Sequence, residues 1–344
     1  MTPSEESALR ELPGLLPHKL GQSVKWPEAF GRRFMITVDT EEEFDWESPF
    51  ERSGHTTVTV PKLERFQQFA EKFGIKPVYF IDYSIIESDE AVAFLKRAVS
   101  AGIATVGAHL HPWVTPPFEE QVNNYNSFAG NLPVELEERK LVALRDAIAE
   151  KIGVLPTAYR AGRYGIGPQT VEILQRLGFE IDSSIRSRFD YSSASGPDFT
   201  KIGSEPFWWH GENQLLEVPL TTVYSGMFRK QPNFLAKIMN RYPVANAVFA
   251  RSKILDRIPL TPEGVSARET KEAIDVALDD GVRLLVFSFH SPSLSAGHTP
   301  YVRTSEDLNQ FYDWWRDIIN HLTQIGVMPV DMEDLLLSAK QAIA

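Results

Sequence analysis

Cysteine is absent from all 344 residues. That excludes disulfides, thiolate metal sites and cysteine nucleophiles, so any metal bound by this chain has to be held by histidine and carboxylate. Long apolar runs are missing too, since no window approaches the ~18 uninterrupted apolar residues that a membrane span requires. The first twenty residues carry Glu5, Glu6, Arg10 and Glu11, and they lack the apolar core and small-residue cleavage site of a signal peptide. The expectation is a soluble, cytoplasmic protein with no transmembrane segment. There is also no block of Lys and Arg. Thirty-five basic against 46 acidic residues give a formal net charge of −11, which argues against nucleic acid or an anionic membrane as a partner.

What is present is alternation. After a Pro-rich arm over residues 1–30, short β-rich runs alternate with longer stretches at helical spacing. Phe34-Met35-Ile36-Thr37-Val38-Asp39 reads as a buried strand. Leu63, Phe66, Phe69, Ala70 and Phe73 then mark a helix, with Pro61 at its first turn and Gly74 at its stop. The pattern repeats through strands at 77–81, 105–109, 158–160, 179–183, 215–220, 283–289 and 327–330. Helices are predicted at 90–100, 135–152, 170–177, 267–278, 306–325 and 332–342. Alternation of this kind implies a parallel sheet, open or closed into a barrel. The irregular stretch 224–265 reads as a helical insertion in a single domain over 31–344.

The polar residues able to do chemistry follow the predicted strands: Asp39 and Glu41 the first, His109 and His111 the third, Arg160 the fourth, Asp182 the fifth, and His290 the strand 284–289. In parallel α/β folds that edge is where sites are built. His109-Leu110-His111 is the sharpest local signal. Residues two apart on an extended segment share a side, so both imidazoles can converge on one ion. Asp39-Thr40-Glu41 uses the same geometry for two carboxylates. One of them can ligate a metal while the other acts as base towards a water that the metal acidifies.

Around these groups stand further candidates. Pro112-Trp113 offers an indole face suited to a sugar ring. Arg160 and Arg163 lie among glycines, where one can hold a catalytic carboxylate ionised and Arg163 can bind substrate. His290 leaves a very apolar strand and suits a general acid for an amine leaving group. His298 and Thr299 of the same loop are candidates for substrate binding. His18, His55, His210 and His321 have no such context.

In this order the residues resemble the polysaccharide deacetylase family (NodB homology, carbohydrate esterase family 4), most closely its WalW-like branch found with surface-polysaccharide biosynthesis. The likeness runs from about Phe34 to Asp331. It implies a distorted (β/α) barrel of about seven parallel strands, and removal of acetyl groups from N-acetylated sugars with a divalent metal, commonly zinc. Carried over by position, it makes Asp39 the catalytic base, Glu41 a metal ligand where Thr40 replaces the family's second aspartate, and His109 a second ligand. Trp113 stands where the family's second histidine is expected, which makes His111 the substitute ligand. Arg160 then holds the base, and Phe289-His290 supplies the acid. Asp182 matches its motif loosely. The function expected is release of an acetyl or formyl group from an N-acylated sugar or glycan precursor. The alternatives are a deacylase of small non-sugar amides and a barrel that binds without catalysing.

Overall fold

The run from Phe34 to Val38 has apolar residues on both sides of its pleat, the pattern of a strand covered on both faces. In the computed structural model it is strand β1 (Arg33–Thr40), buried along nearly its whole length. The structure describes residues 22–45, 48–209, 214–232 and 252–341, with 235, 236, 238, 239, 242, 248 and 249 between them. The first 21 residues of the N-terminal arm, and twelve residues of the insertion read at 224–265, lie outside the described residues.

After β1 come α1 (Lys62–Glu71), β2 (Val78–Ile81), the short α2 (Tyr83–Glu87), α3 (Asp89–Ser100), β3 (Thr105–Leu110), α4 (Val134–Ile152), β4 (Ala158–Ala161), α5 (Thr170–Arg176) and β5 (Ile181–Asp182). Three short strands follow: β6 (Phe207–Trp209), β7 (Leu215–Glu217) and β8 (Thr222–Ser225). The chain ends through β9 (Asp256–Pro259), α6 (Ala267–Asp279), β10 (Leu284–His290), α7 (Ser305–Gln324), β11 (Met328–Pro329) and α8 (Met332–Gln341). The main ladder runs β10-β1-β2-β3-β4-β5-β7, seven strands each parallel to its neighbour, with β6 antiparallel on the edge of β7. Strand β11 pairs with the first residues of β1, ahead of where β2 joins it.

The sheet curls, and its parallel ends β7 and β10 do not pair with each other. Thr221 bridges the gap: its N–H donates to Val286 O at 3.3 Å, and its Oγ1 accepts from Val286 N at 2.9 Å. The chain is thus the expected α/β fold, a half-barrel of seven parallel strands.

Four elements differ from the sequence reading, the short α2 being one of them. Strand β6 has no alternation across its Phe207-Trp208-Trp209 run and is buried throughout. Strands β8 and β9 pair antiparallel at the two flanks of the segment read as helical. Their buried apolar residues are Val223, Tyr224 and Ile258, and in β9 Asp256, Arg257 and Pro259 mask the strand signal.

Parity along the strands explains where the site lies. Odd residues of β1 and their register partners face the inside of the curl. There Met35, Phe80, Ala158, Ile181, Leu216 and Val286 form an apolar floor, closed beneath by Val24, Phe30 and by Met332 and Leu335 of α8. The alternate residues Phe34, Ile36, Val38, Tyr79, Ile81, Leu285 and Phe287 belong to the larger core beneath the helices. Two to four residues further along the inner rows stand the polar side chains Asp39, His109, Arg160 and His290. Asp39 is paired in register with both Phe80 and His290, and His109 with Arg160. Among the described residues, no helix is long and apolar enough to cross a membrane.

Candidate active site

Asp39 is buried, and its Oδ1 accepts a short hydrogen bond from Arg160 Nη1. Arg160 is held in turn by Ser183 O and Ser183 Oγ, each at 2.9 Å, and by Thr37 Oγ1 at 3.0 Å. With its guanidinium fixed on four acceptors, Arg160 orients the carboxylate so that Oδ2 is left towards His290, whose Nε2 is 3.9 Å away. Burial alone would raise Asp39's pKa, but Arg160, with His109 and His290, outweighs it and holds the carboxyl below its usual range.

Glu41 Oε2 stands 3.5 Å from His109 Nε2 and 3.4 Å from His111 Nε2, and all three side chains are buried. Ligands ~2.0–2.1 Å from a tetrahedral zinc ion lie ~3.3–3.4 Å apart, so each imidazole stands from Glu41 at the spacing of two ligand atoms on one cation, and all three atoms lie within 4.8 Å of one another. Both rings point Nε2 inward because Nδ1 is engaged behind. That of His109 meets Arg160 O at 3.1 Å, and that of His111 meets both Glu42 oxygens at 3.2 Å. Such backing fixes the tautomer that a metal requires. Burial lowers the histidines to about 3 for His109 and about 4 for His111, leaving both neutral and able to ligate.

Glu41, by contrast, is pushed well up by burial and by Glu42, Asp39 and Asp82, with His290 opposing. A divalent cation against Glu41 reverses that balance. Donor types, spacing and charge all fit such an ion.

A second acidic group, Glu42 with Asp82 beside His111, is committed elsewhere. Asp82 caps α2 by accepting from Ile85 N at 2.8 Å and also takes Glu42 N at 3.1 Å, while Glu42 accepts from Trp113 Nε1 at 2.9 Å. These carboxylates support the histidines from behind. Both were missed in the sequence. Asp82 directly follows β2 and carried the same strand-end signal as Asp39; Glu42 was hidden in the acidic run 41–43.

His290 leaves β10 opposite Asp39. Its Nδ1 is 2.7 Å from Glu263 Oε2, and its backbone N–H donates to Glu263 Oε1 at 3.1 Å. Burial disfavours the charged ring, yet Glu263 first and Glu41 next hold its pKa up at about 10. Glu263 lies in the turn between β9 and Ser266, the N-cap of α6, inside the stretch read as an insertion. No strand or motif marked it.

Asp39, Glu41, His109, His111, Glu263 and His290 line one cavity of about 280 Å³, together with Phe44, Phe50, Tyr164, Tyr191 and Tyr301. Of the predicted substrate-binding residues, Arg163 and Trp113 line it and His298 is not among the lining residues. The Trp113 indole stacks on His111 (centroids 4.3 Å apart), Phe50 lies 4.6 Å away, and the indole nitrogen is bound to Glu42. Trp113 thus packs on His111 in the cavity wall. Asp182 departs from the strand-edge expectation. In register with Tyr159 and Glu217, it points away from the inner row, and its Oδ1 accepts from Ser184 N at 3.0 Å. His321 sits on α7 beside Asp275, outside the cavity.

Gly162 follows β4, and its lack of a side chain is required there. A Cβ there would stand 2.3 Å from His111 Cδ2 and 2.7 Å from Leu110 O. Gly162→Ala therefore has to push the His111 ring. The expected result is metal affinity weakened about 10–100-fold, as for loss of a ligand's supporting contact, read by competition with a chelator. Unchanged affinity would mean that His111 is not a ligand.

No protein-family model matches the chain, and no curated protein matches it in sequence. Solved structures are similar to it in fold. A 4-alpha-glucanotransferase from Thermococcus litoralis is 14% identical with a TM-score of 0.52; the match covers 90% of this chain but 40% of that enzyme. A protein assigned as a polysaccharide deacetylase from Mycobacterium smegmatis is 15% identical over 91% of this chain and 97% of that one, with a TM-score of 0.45. The peptidoglycan deacetylase of Bacillus subtilis is 14% identical over 90% and 92%, with a TM-score of 0.39. At these identities the likeness is one of fold. A shared barrel does not carry an activity with it.

Proposed function

We propose that this chain is a metal-dependent amidohydrolase that removes an acetyl or formyl group from an N-acylated sugar. The observation that carries the reading is the convergence of Glu41, His109 and His111, with both imidazoles 3.4–3.5 Å from Glu41, beside the Asp39–His290 pair. The three ligands are those of a catalytic zinc site, which keeps a position open for water or substrate. The cavity of about 280 Å³ suits one sugar unit rather than a long stretch of glycan.

When bound by Glu41, His109 and His111, a divalent ion supplies Lewis acidity to the acyl carbonyl and lowers the pKa of a water. The remaining steps belong to side chains. Asp39, kept ionised by Arg160, accepts the proton of the attacking water through Oδ2. The water oxygen bonds to the carbonyl carbon. His290, kept protonated by Glu263, gives its proton to the amine nitrogen as the C–N bond breaks. The products are a carboxylic acid and a free amino sugar.

The test is direct. Purified protein supplied with zinc and with N-acetyl and N-formyl sugars should release acetate or formate in step with new primary amine. Carboxylate release from a small non-sugar amide, and not from any sugar, would move the assignment to that substrate class. No release from either would leave a binding protein.

A further inference from the structure

Two cationic side chains in the cavity have no acidic counterpart. Asp39 is matched by Arg160 and Glu263 by His290, and Glu41 belongs to the histidine cluster. Arg163 and Arg186 line the same cavity, and among the described residues neither guanidinium lies within 4.0 Å of a carboxylate. Arg163 Nη1 donates only to neutral groups, Asn124 Oδ1 at 2.9 Å and Ser127 Oγ, and its guanidinium lies 4.0 Å over Phe128. Arg186 Nη1 donates to the Tyr191 hydroxyl at 3.4 Å, and its guanidinium lies 4.0 Å over Phe189.

Aromatic faces and neutral acceptors hold both groups in place and leave their charge unneutralised. Both are half-buried, where water compensates a charge poorly. The backbone adds to the case. Arg163 has φ 55° and the next residue, Tyr164, has φ 60°, two successive non-glycine residues in the left-handed region. Strain of this kind persists where the surrounding fold enforces it, and it clusters at binding sites.

We propose that the cavity selects N-acyl sugars bearing an anionic group, a phosphoryl or a carboxylate, which Arg163 and Arg186 bind. The planar fork of arginine matches either anion with paired hydrogen bonds. The sugar part of this inference rests on the deacylase reading; the anion part stands on the two guanidinium groups alone.

Calorimetric binding to the zinc-loaded full chain tests it, with N-acetylglucosamine, N-acetylglucosamine 1-phosphate and N-acetylmuramic acid as probes. At least one charged probe should bind about 10–100-fold more tightly than the neutral one, by a margin that narrows as salt is added. The tighter of the two identifies the anion. Arg163→Gln and Arg186→Gln should each remove most of the margin, and the Lys variants, which keep the charge, should restore part of it even if the Gln variants fold poorly. Equal binding of charged and neutral probes overturns the proposal. So does a preference that survives the double Gln variant, which would place the anion on the metal alone. Acetate release is followed separately. Arginine-dependent anion binding without release leaves this inference standing and removes the deacylase reading. Release from the neutral sugar with no anion preference does the reverse.

Discussion

Asp39→Asn is expected to cut turnover by about 10²–10⁴-fold, the usual contribution of a positioned general base, while the protein retains its metal. The amide keeps an acceptor for Arg160 but cannot take a proton. Arg160 also keeps Ser183 and Thr37 as partners, so the variant should fold. Stability should nonetheless fall at neutral pH, because the buried Arg160 charge loses its carboxylate.

The pH dependence of that loss has a definite sign. Asp39's folded pKa is depressed, so its stabilising contribution is present above the ordinary carboxylate value and is lost as pH falls through the folded one. The melting temperatures of wild type and variant should therefore converge in acid. Glu41→Gln should behave oppositely, losing metal first and activity as a consequence. If Asp39→Asn empties the site and Glu41→Gln does not, base and ligand are exchanged.

His290→Ala should lower kcat by a similar factor of about 10²–10⁴, but only where the leaving group needs a proton. An activated ester of the same acyl group leaves without one, so its hydrolysis should fall far less. Equal loss on amide and ester would make His290 structural. Glu263 gives a second handle. It is the first group sustaining the imidazolium against burial, and with no metal bound the His290 pKa stands at about 10, which is where the alkaline limb from this residue starts. A cation against Glu41 cancels that carboxylate's support and pulls the limb down, leaving Glu263 as its main support. In Glu263→Gln the limb should move further down, towards the ordinary histidine range near 6.5. A pH profile that Glu263→Gln leaves unmoved would remove His290 as the acid.

The sheet was legible because its strands are buried on both faces, and continuous apolar runs such as Phe34–Val38 and Leu284–Phe289 admit little else. The inner row was legible in part for the same reason. A polar residue ending an apolar strand at the right parity can only face the inside of the curl, as Asp39, His109, Arg160 and His290 do. Parity also explains the failure at Asp182, where a residue at the correct edge has the wrong parity and faces the other way.

What stayed hidden comes from loops. Glu263 and Arg186 belong to connections whose course depends on tertiary contacts, and spacing along the chain says nothing about where such side chains arrive. Trp113 was visible as an aromatic, but its packing on His111 and Phe50 arises only in the folded chain.

The central claim, a catalytic cation held by Glu41, His109 and His111, is tested most directly by elemental analysis of purified protein. Wild type and His321→Ala should each carry about one equivalent of a divalent metal, and His109→Ala and His111→Ala should carry far less. Equal metal content in all four proteins, or none in the wild type after dialysis against zinc, would contradict it.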